Sequence, residues 1–182
     1  YFAGIPDGSG IDDPAASGSV FYSIRMAPGP VPVALPSQMP LGSIEPYAMA
    51  VDSSHGRVFV ADPLVGLTAW STTPGASGFP QLAGSPYTPG LGKIKAKGVA
   101  YSAALNRVYV CCQNAAGVDQ VAVYDANSGP PMNQISGSPF TIAATHPLSL
   151  TTSRTSMAID TTQTPNRVLI TCPSGVVALN GS

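Results

Sequence analysis

The sequence predicts an all-β protein, and two features carry that prediction. Its 182 residues include 19 glycines and 19 prolines, about one residue in five against about one in eight in an average protein, which leaves little room for long helices. Short apolar runs also recur along the chain and are separated by turn-forming residues. Because 44% of the residues are hydrophobic, the chain has enough apolar material to fold around a core.

A repeat of about fifty residues organises these runs. Each copy has a first run of small and apolar residues, a turn, a second run with an arginine as its second residue, and a third run. Arg57, Arg107 and Arg167 occupy the same place in the three copies. The aligned runs are residues 48–52, 56–61 and 67–71, then 98–102, 106–111 and 121–125, then 156–160, 166–171 and 176–180.

A fourth element closes the first two copies. It reads Gly-Ser-Pro-Tyr-Thr at residues 84–88 and Gly-Ser-Pro-Phe-Thr at residues 137–141. Proline cannot donate a hydrogen bond to a strand ladder, so this element is expected at a turn or at a sheet edge. Each repeat therefore predicts four short antiparallel strands.

Four-stranded units of this length are typical of the blades of a β-propeller. The first run of each copy is rich in Ala and Gly, which suits the crowded innermost strand. We therefore predict β-propeller blades of four antiparallel strands, about three and a half blades in this chain. The predicted divisions are residues 1–46 for a partial first blade with a Pro-rich connection, 47–90 for the second blade, 91–145 for the third and 146–182 for an incomplete fourth.

Residues 49–62 and the closing Gly-Ser-Pro-Tyr or Gly-Ser-Pro-Phe resemble propellers of the YVTN-repeat and seven-bladed lactonase-like superfamily. The resemblance covers residues 47–182 and implies the fold. That superfamily includes sugar-lactone hydrolases, muconate-lactonising enzymes and exported proteins of unassigned role. No catalytic motif of those enzymes maps onto a position of this sequence, so the catalytic residues stay unknown.

The blade count predicts that the propeller is completed by further protein. At about fifty residues a blade the chain holds fewer than four blades, whereas propellers have four to eight. Three alternatives are open: a fragment of a longer propeller, two chains that complement each other, or strand exchange between copies. We favour a fragment or one part of a larger ring, so the expected partners are further blades from the same or another chain, in a homo-oligomer or a fragment complex.

Charge and composition exclude several classes of function. Eight Lys and Arg residues face nine Asp and Glu residues, which is too sparse a basic charge for nucleic-acid binding. No apolar stretch is long enough for a membrane span, and we expect a processed or truncated N-terminus. The wealth of Ser, Thr, Gly and Pro favours a secreted, periplasmic or cell-surface location. Cys111, Cys112 and Cys172 are expected to be buried thiols.

The candidate ligand-binding residues lie in loops that would converge at the channel mouth. They could gather a carboxylate or a phosphate, and they are Lys93, Lys95, Lys97, His146 and Arg154. No metal site and no cofactor are predicted, since the sequence lacks a ligand cluster. The recurring Asp52, Asp125 and Asp160 are expected to cap turns, and the recurring arginines to pair with Asp or to join neighbouring blades.

Two functions follow from these observations. The first is a non-catalytic exported propeller that serves as a scaffold or binding module. The alternative is a lactonase-like hydrolase or isomerase acting on a small anionic sugar or muconate lactone at the channel mouth.

Overall fold

The chain is all-β over the residues that the structure describes. A computed structural model describes the backbone strands at residues 2–4, 19–25 and 33–42, and then residues 46–73, 75, 79–88, 92, 94–143, 147–150 and 155–180. Within these ranges the only helical element is a single 3-10 turn, Ala126–Ser128, and the rest of the regular structure is antiparallel strand. In the same ranges no helix is long and apolar enough to cross a membrane. The all-β prediction is confirmed.

The described strands form four antiparallel sheets. The N-terminal sheet contains β1 (Phe2–Gly4), β2 (Ser19–Arg25) and β3 (Val33–Gly42). The first repeat sheet contains β4 (Ala48–Asp52), β5 (Arg57–Asp62) and β6 (Gly66–Ser71). The second contains β7 (Gly98–Ser102), β8 (Arg107–Gln113), β9 (Asp119–Asp125), β10 (Asn133–Gln134) and β11 (Phe140–Thr141). The third contains β12 (Met157–Asp160), β13 (Arg167–Cys172) and β14 (Gly175–Asn180).

Strand register makes the three repeat sheets equivalent position by position. Arg57 pairs with Ser71, Arg107 with Asp125 and Arg167 with Asn180. The third strands β6, β9 and β14 can therefore be compared residue by residue from these pairs.

Aspartates at the strand ends cap the turns, as predicted. The Asp125 Oδ1 accepts a hydrogen bond from the Asn127 N–H at 2.9 Å, and the Asp160 Oδ1 accepts one from the Thr162 N–H at 2.9 Å. The tight turn between β5 and β6 needs glycine at its end. Gly66 has a φ of +117°, and a Cβ there would lie 2.7 Å from the carbonyl oxygen of Tyr87.

The repeat sheets stack face to face. We call the face turned to the next repeat sheet the trailing face and the opposite one the leading face. The trailing face of the first sheet meets the leading face of the second in one apolar layer, whose members include Phe59, Ala61, Leu67, Ala69, Val108, Val110 and Tyr124. The trailing face of the second sheet meets the leading face of the third in another, whose members include Tyr109, Cys111, Val121, Val123, Val168 and Ile170.

The first strands of the three repeat sheets lie side by side, β4 against β7 and β7 against β12. Small residues permit this approach. At Gly98, for example, an added Cβ would lie 3.1 Å from the Cγ of Met157. The repeat sheets thus converge on their first strands, as the composition of those strands predicts.

The fourth strand differs from the prediction because it is broken in two. In the second repeat sheet β10 and β11 both pair with β9, with the Gly-Ser-Pro turn between them. In the first sheet the same places are held by single bridges, Trp70 to Gln81 and Leu67 to Tyr87. The proline lacks an N–H and the serine side chain takes part in the ladder, so a continuous strand cannot form there.

Candidate binding surfaces

Two of the predicted ligand-binding lysines lie in the described part of the chain, just before β7. The Lys95 N–H donates a hydrogen bond to the carbonyl oxygen of Pro63 at 2.9 Å, and the Lys97 N–H donates one to the carbonyl oxygen of Cys111 at 2.9 Å. This segment therefore lies at the end of the sheets where β5 turns into β6. It follows bends rather than a regular strand. The side chains of Lys95 and Lys97 therefore need not lie on one side of the segment, as alternate residues of an extended chain would.

Lys97 is buried, with only 5% of its surface exposed. Its Nζ donates a hydrogen bond to the carbonyl oxygen of Leu150 and lies 5.0 Å from the centre of the Tyr47 ring, a cation–π contact. Burial lowers the pKa of this ammonium group. Lys97 thus ties the segment that contains Leu150 to the second repeat sheet.

The predicted anion-binding site of Lys93, Lys95, Lys97, His146 and Arg154 stays a prediction. Lys95 keeps a partly exposed position, whereas the Lys97 ammonium is engaged inside the protein. The other three members, Lys93, His146 and Arg154, lie outside the described residues. Among the residues that are described, no group of three His, Cys, Asp or Glu side chains could hold a metal ion.

An open groove of about 410 Å³ runs along the first strands of the repeat sheets. Met49 and Ala50 of β4, Ala100 of β7, and Met157 and Ile159 of β12 belong to its walls. Hydroxyl side chains lie towards the carboxyl end of these strands, where Tyr101, Ser102 and Thr161 line it. The groove is apolar over most of its length, so it suits packing better than recognition of an anion.

A hydrogen-bonded cluster forms at the opposite end of the sheets from the lysines, around Asp52. The Asp52 Oδ1 accepts hydrogen bonds from the Ser54 hydroxyl at 2.6 Å and from the His55 N–H at 3.1 Å. The Oδ2 accepts one from the Arg57 Nε–H at 3.0 Å and lies 2.8 Å from the His55 Nδ1. Burial opposes the charge of this carboxylate, but the bonds from Ser54, Arg57 and His55 outweigh it and hold the pKa of Asp52 well below its usual range.

Arg57 also joins the first two repeat sheets. Its Nη2 donates a hydrogen bond to the carbonyl oxygen of Ala126 at 2.9 Å, and its guanidinium lies 5.7 Å from the centre of the Phe59 ring. The Phe59 ring in turn lies 6.0 Å from that of Tyr101 on β7. The predicted pairing of this arginine with Asp is confirmed, and Arg57 also contacts the neighbouring repeat sheet.

The Asp52 cluster contains serine, histidine and aspartate but lacks the geometry of a catalytic triad. In a triad one ring nitrogen of histidine faces the serine while the other faces the carboxylate. Here the His55 Nδ1 lies near both the Ser54 hydroxyl, at 3.1 Å, and Asp52. The Ser54 proton points to a carboxylate whose lowered pKa makes it a weak base. We therefore interpret the cluster as structural: Asp52 and Arg57 form a buried ion pair, and Asp52 caps the turn that contains Ser54 and His55.

The broken fourth strand contains a repeated serine contact that sequence reasoning missed. The Ser85 Oγ accepts a hydrogen bond from the Ala69 N–H at 3.0 Å, and the Ser138 Oγ accepts one from the equivalent Val123 N–H at 2.7 Å. In the same two repeats the serine Oγ also accepts a hydrogen bond from the side-chain Nε2 of the glutamine four residues earlier, at 2.9 Å and 3.3 Å. The shared Gln-to-Ser spacing was the signal in the sequence. We call this element the edge segment, residues 79–88 in the first repeat and 132–141 in the second.

The trailing face of the third repeat sheet is open, in contrast to its two counterparts. Val176 is 64% exposed, whereas the equivalent Leu67 and Val121 are 0% and 1% exposed. Phe59 and Ala69 are buried. Their equivalents on the third sheet are more open: Leu169 is half-buried and Ala178 is exposed. Within the described residues β14 pairs only with β13 and lacks an edge segment.

No protein-family model matches the chain, and no curated protein and no solved structure is significantly similar to it.

Proposed function

We propose that the chain is part of a β-propeller of the YVTN-repeat and lactonase-like kind, exported, that serves without catalysis as a scaffold or binding module. The repeated stacking supports this proposal. Sheets with one strand register pack face to face, and their first strands lie side by side along a shared groove. Radial packing of such units is how propeller blades bury their faces.

The single observation that carries the proposal is the open trailing face of the third repeat sheet. Where the first two sheets bury Leu67 and Val121 against the next sheet, the third sheet exposes Val176, and its Leu169 and Ala178 are half-buried and exposed. Full burial of one such side chain contributes about 1.5–3 kcal/mol. A surface of this kind is favourable only when a further sheet covers it, so the chain acts as one part of a larger ring.

Mass measurements on material from the native source test this proposal. A native mass above that of one 182-residue chain, or a denatured mass above it, is the expected result, because either supplies further blades. A native monomer of the 182-residue chain alone would contradict the proposal.

Two matched substitutions separate this interface from general surface effects. Val176→Lys places a charge on the open trailing face and is expected to break the assembly. Leu64→Lys changes a side chain that is equally exposed, at 63%, but lies in the turn between β5 and β6, and should leave the native mass unchanged. Equal effects from both substitutions would argue against the trailing face as the interface.

A further inference from the structure

The turns at one end of the repeat sheets consist mainly of apolar residues. The turn from β5 to β6 reads Pro-Leu-Val at residues 63–65, and the turn from β8 to β9 reads Asn-Ala-Ala-Gly-Val at residues 114–118. Turns between strands are normally built from Gly, Pro, Asn, Asp and Ser. In these two turns Leu64 is 63% and Val118 40% exposed. Exposed apolar side chains at successive turns indicate a surface that another body covers.

The two turns belong to one continuous surface, because the segment before β7 lies between them. The Lys95 N–H of that segment bonds to the carbonyl oxygen of Pro63 in the first turn. The carbonyl oxygen of Ile94 accepts the N–H of Gln113, just before the second turn, at 2.8 Å. Tyr47 is 44% exposed, and its ring contacts the buried lysine just before β7. We call the turn surface the area formed by Tyr47, residues 63–65, Lys95 and residues 114–118.

Backbone N–H groups of both turns are already bonded within the protein. The Asp62 Oδ1 accepts the N–H groups of Leu64 and of the next residue, each at 2.7 Å. The Asn114 Oδ1 accepts those of Ala116 at 3.0 Å and Val118 at 2.9 Å. A backbone N–H that leaves water without a partner is costly, and hydrocarbon offers no acceptor. These four N–H groups can therefore enter an apolar medium without losing a hydrogen bond.

The charge that the turn surface offers to a partner is positive. Lys95 is partly exposed. The two nearby carboxylates are engaged by donors of the protein itself: Asp62 is 0% exposed and caps its turn, and Asp119 accepts hydrogen bonds from the Gln113 side chain at 2.8 Å and the Ser149 N–H at 3.0 Å. An apolar surface with an accessible lysine complements an apolar medium that has anionic groups at its boundary.

We propose that the turn surface binds the surface of a lipid bilayer. Leu64 and Val118 enter the boundary between headgroups and acyl chains, Tyr47 lies at headgroup level, and Lys95 lies beside lipid phosphates. Separate, convex turn tips suit a deformable lipid surface better than a rigid protein groove. The chain lies on the bilayer in this arrangement and does not span it. The inference is independent of the ring proposal, because the turn surface lies at the ends of the sheets and the ring requires their stacked faces.

Vesicle sedimentation with the 182-residue chain tests the inference. The probes are vesicles of phosphatidylcholine, with and without phosphatidylserine. Binding to both is expected, and Lys95→Gln should weaken binding about fivefold on the vesicles with phosphatidylserine, where the surface is anionic, and much less on phosphatidylcholine alone. Equal weakening on both kinds of vesicle would overturn the placement of Lys95. Absence of binding to either overturns the inference and makes a protein the partner at this end.

Matched substitutions locate the contact with lipid. Leu64→Asn and Val118→Asn each remove an apolar side chain from the turn surface and should weaken vesicle binding about tenfold. The control is Val51→Asn, at the other end of the sheets beside Asp52, where the side chain is 38% exposed. This control should bind vesicles like the unchanged protein. Native Trp70 emission identifies the variants that fold, and Leu64→Asn suffices if Val118→Asn does not. Equal weakening by Leu64→Asn and Val51→Asn overturns the inference.

Discussion

Asp52→Asn should be strongly destabilising, because Asp52 and Arg57 form a buried ion pair. Asp52 is 0% and Arg57 5% exposed, and the substitution leaves the guanidinium without its carboxylate. Removing one partner of a buried pair costs about 3–5 kcal/mol. Arg57 keeps its bond to Ala126 and its place over Phe59, so we expect a loss near the lower end, about 3 kcal/mol in the free energy of unfolding.

Urea unfolding monitored through Trp70 measures this loss. Trp70 is the single tryptophan of the sequence and is 8% exposed on β6, so its emission reports on the sheet that holds the ion pair. The matched control is Asp160→Asn, at the same register position of the third repeat sheet. That carboxylate caps an exposed turn through Thr162 and should affect stability far less. Equal losses from the two substitutions, or an unchanged midpoint for Asp52→Asn, would refute the reasoning.

Three further predictions use the same unfolding assay or intact-mass measurements. The pKa of Asp52 is held below its ordinary value of 3.8, so its charge stabilises the folded state fully above about pH 5, and this contribution is lost as the pH falls towards the folded-state pKa. The free energy of unfolding should therefore depend less on pH in Asp52→Asn than in the unchanged protein. Identical pH profiles of the two proteins would exclude the effect. Ser138→Ala leaves the Val123 N–H unpaired and should lower the free energy of unfolding by about 1–3 kcal/mol. The control Ser136→Ala, whose counterpart in the first edge segment is already alanine, should lower it little. A larger loss for Ser136→Ala than for Ser138→Ala would argue against the serine contact. Burial raises the pKa of Cys112 to about 12, and the thiolate is the form that reacts. Iodoacetamide at pH 8 should therefore label the partly exposed Cys172 first. Early labelling of Cys112 would show that the second repeat sheet opens readily.

The repeat made much of the fold predictable from the sequence. Short apolar runs separated by turn-forming residues predicted the strands. The recurrence of Asp52 and Arg57 at the same place in each repeat indicated structural roles, which the hydrogen bonds confirm. Local sequence patterns were sufficient there because hairpin strands adjacent in sequence are also adjacent in the sheet.

The candidate site was less predictable, because it depends on which side chains are buried. The sequence placed Lys97 among residues that could gather an anion, but its ammonium group lies against the Tyr47 ring and bonds to the carbonyl oxygen of Leu150, fifty-three residues away. Such a long-range contact leaves no local signal. The serine of the edge segment was hidden for another reason: proline beside it indicated an edge, yet only the register shows that Ser85 replaces a backbone acceptor.

Amide hydrogen exchange of the 182-residue chain tests the central claim, an open outer edge of β14 within the described residues, most directly. Ala69, Val123 and Ala178 hold the same position on β6, β9 and β14. The account predicts slow exchange at Ala69 and Val123, whose N–H groups are bonded to serine oxygens, and fast exchange at Ala178. Protection of Ala178 equal to that of Ala69 and Val123 would contradict it.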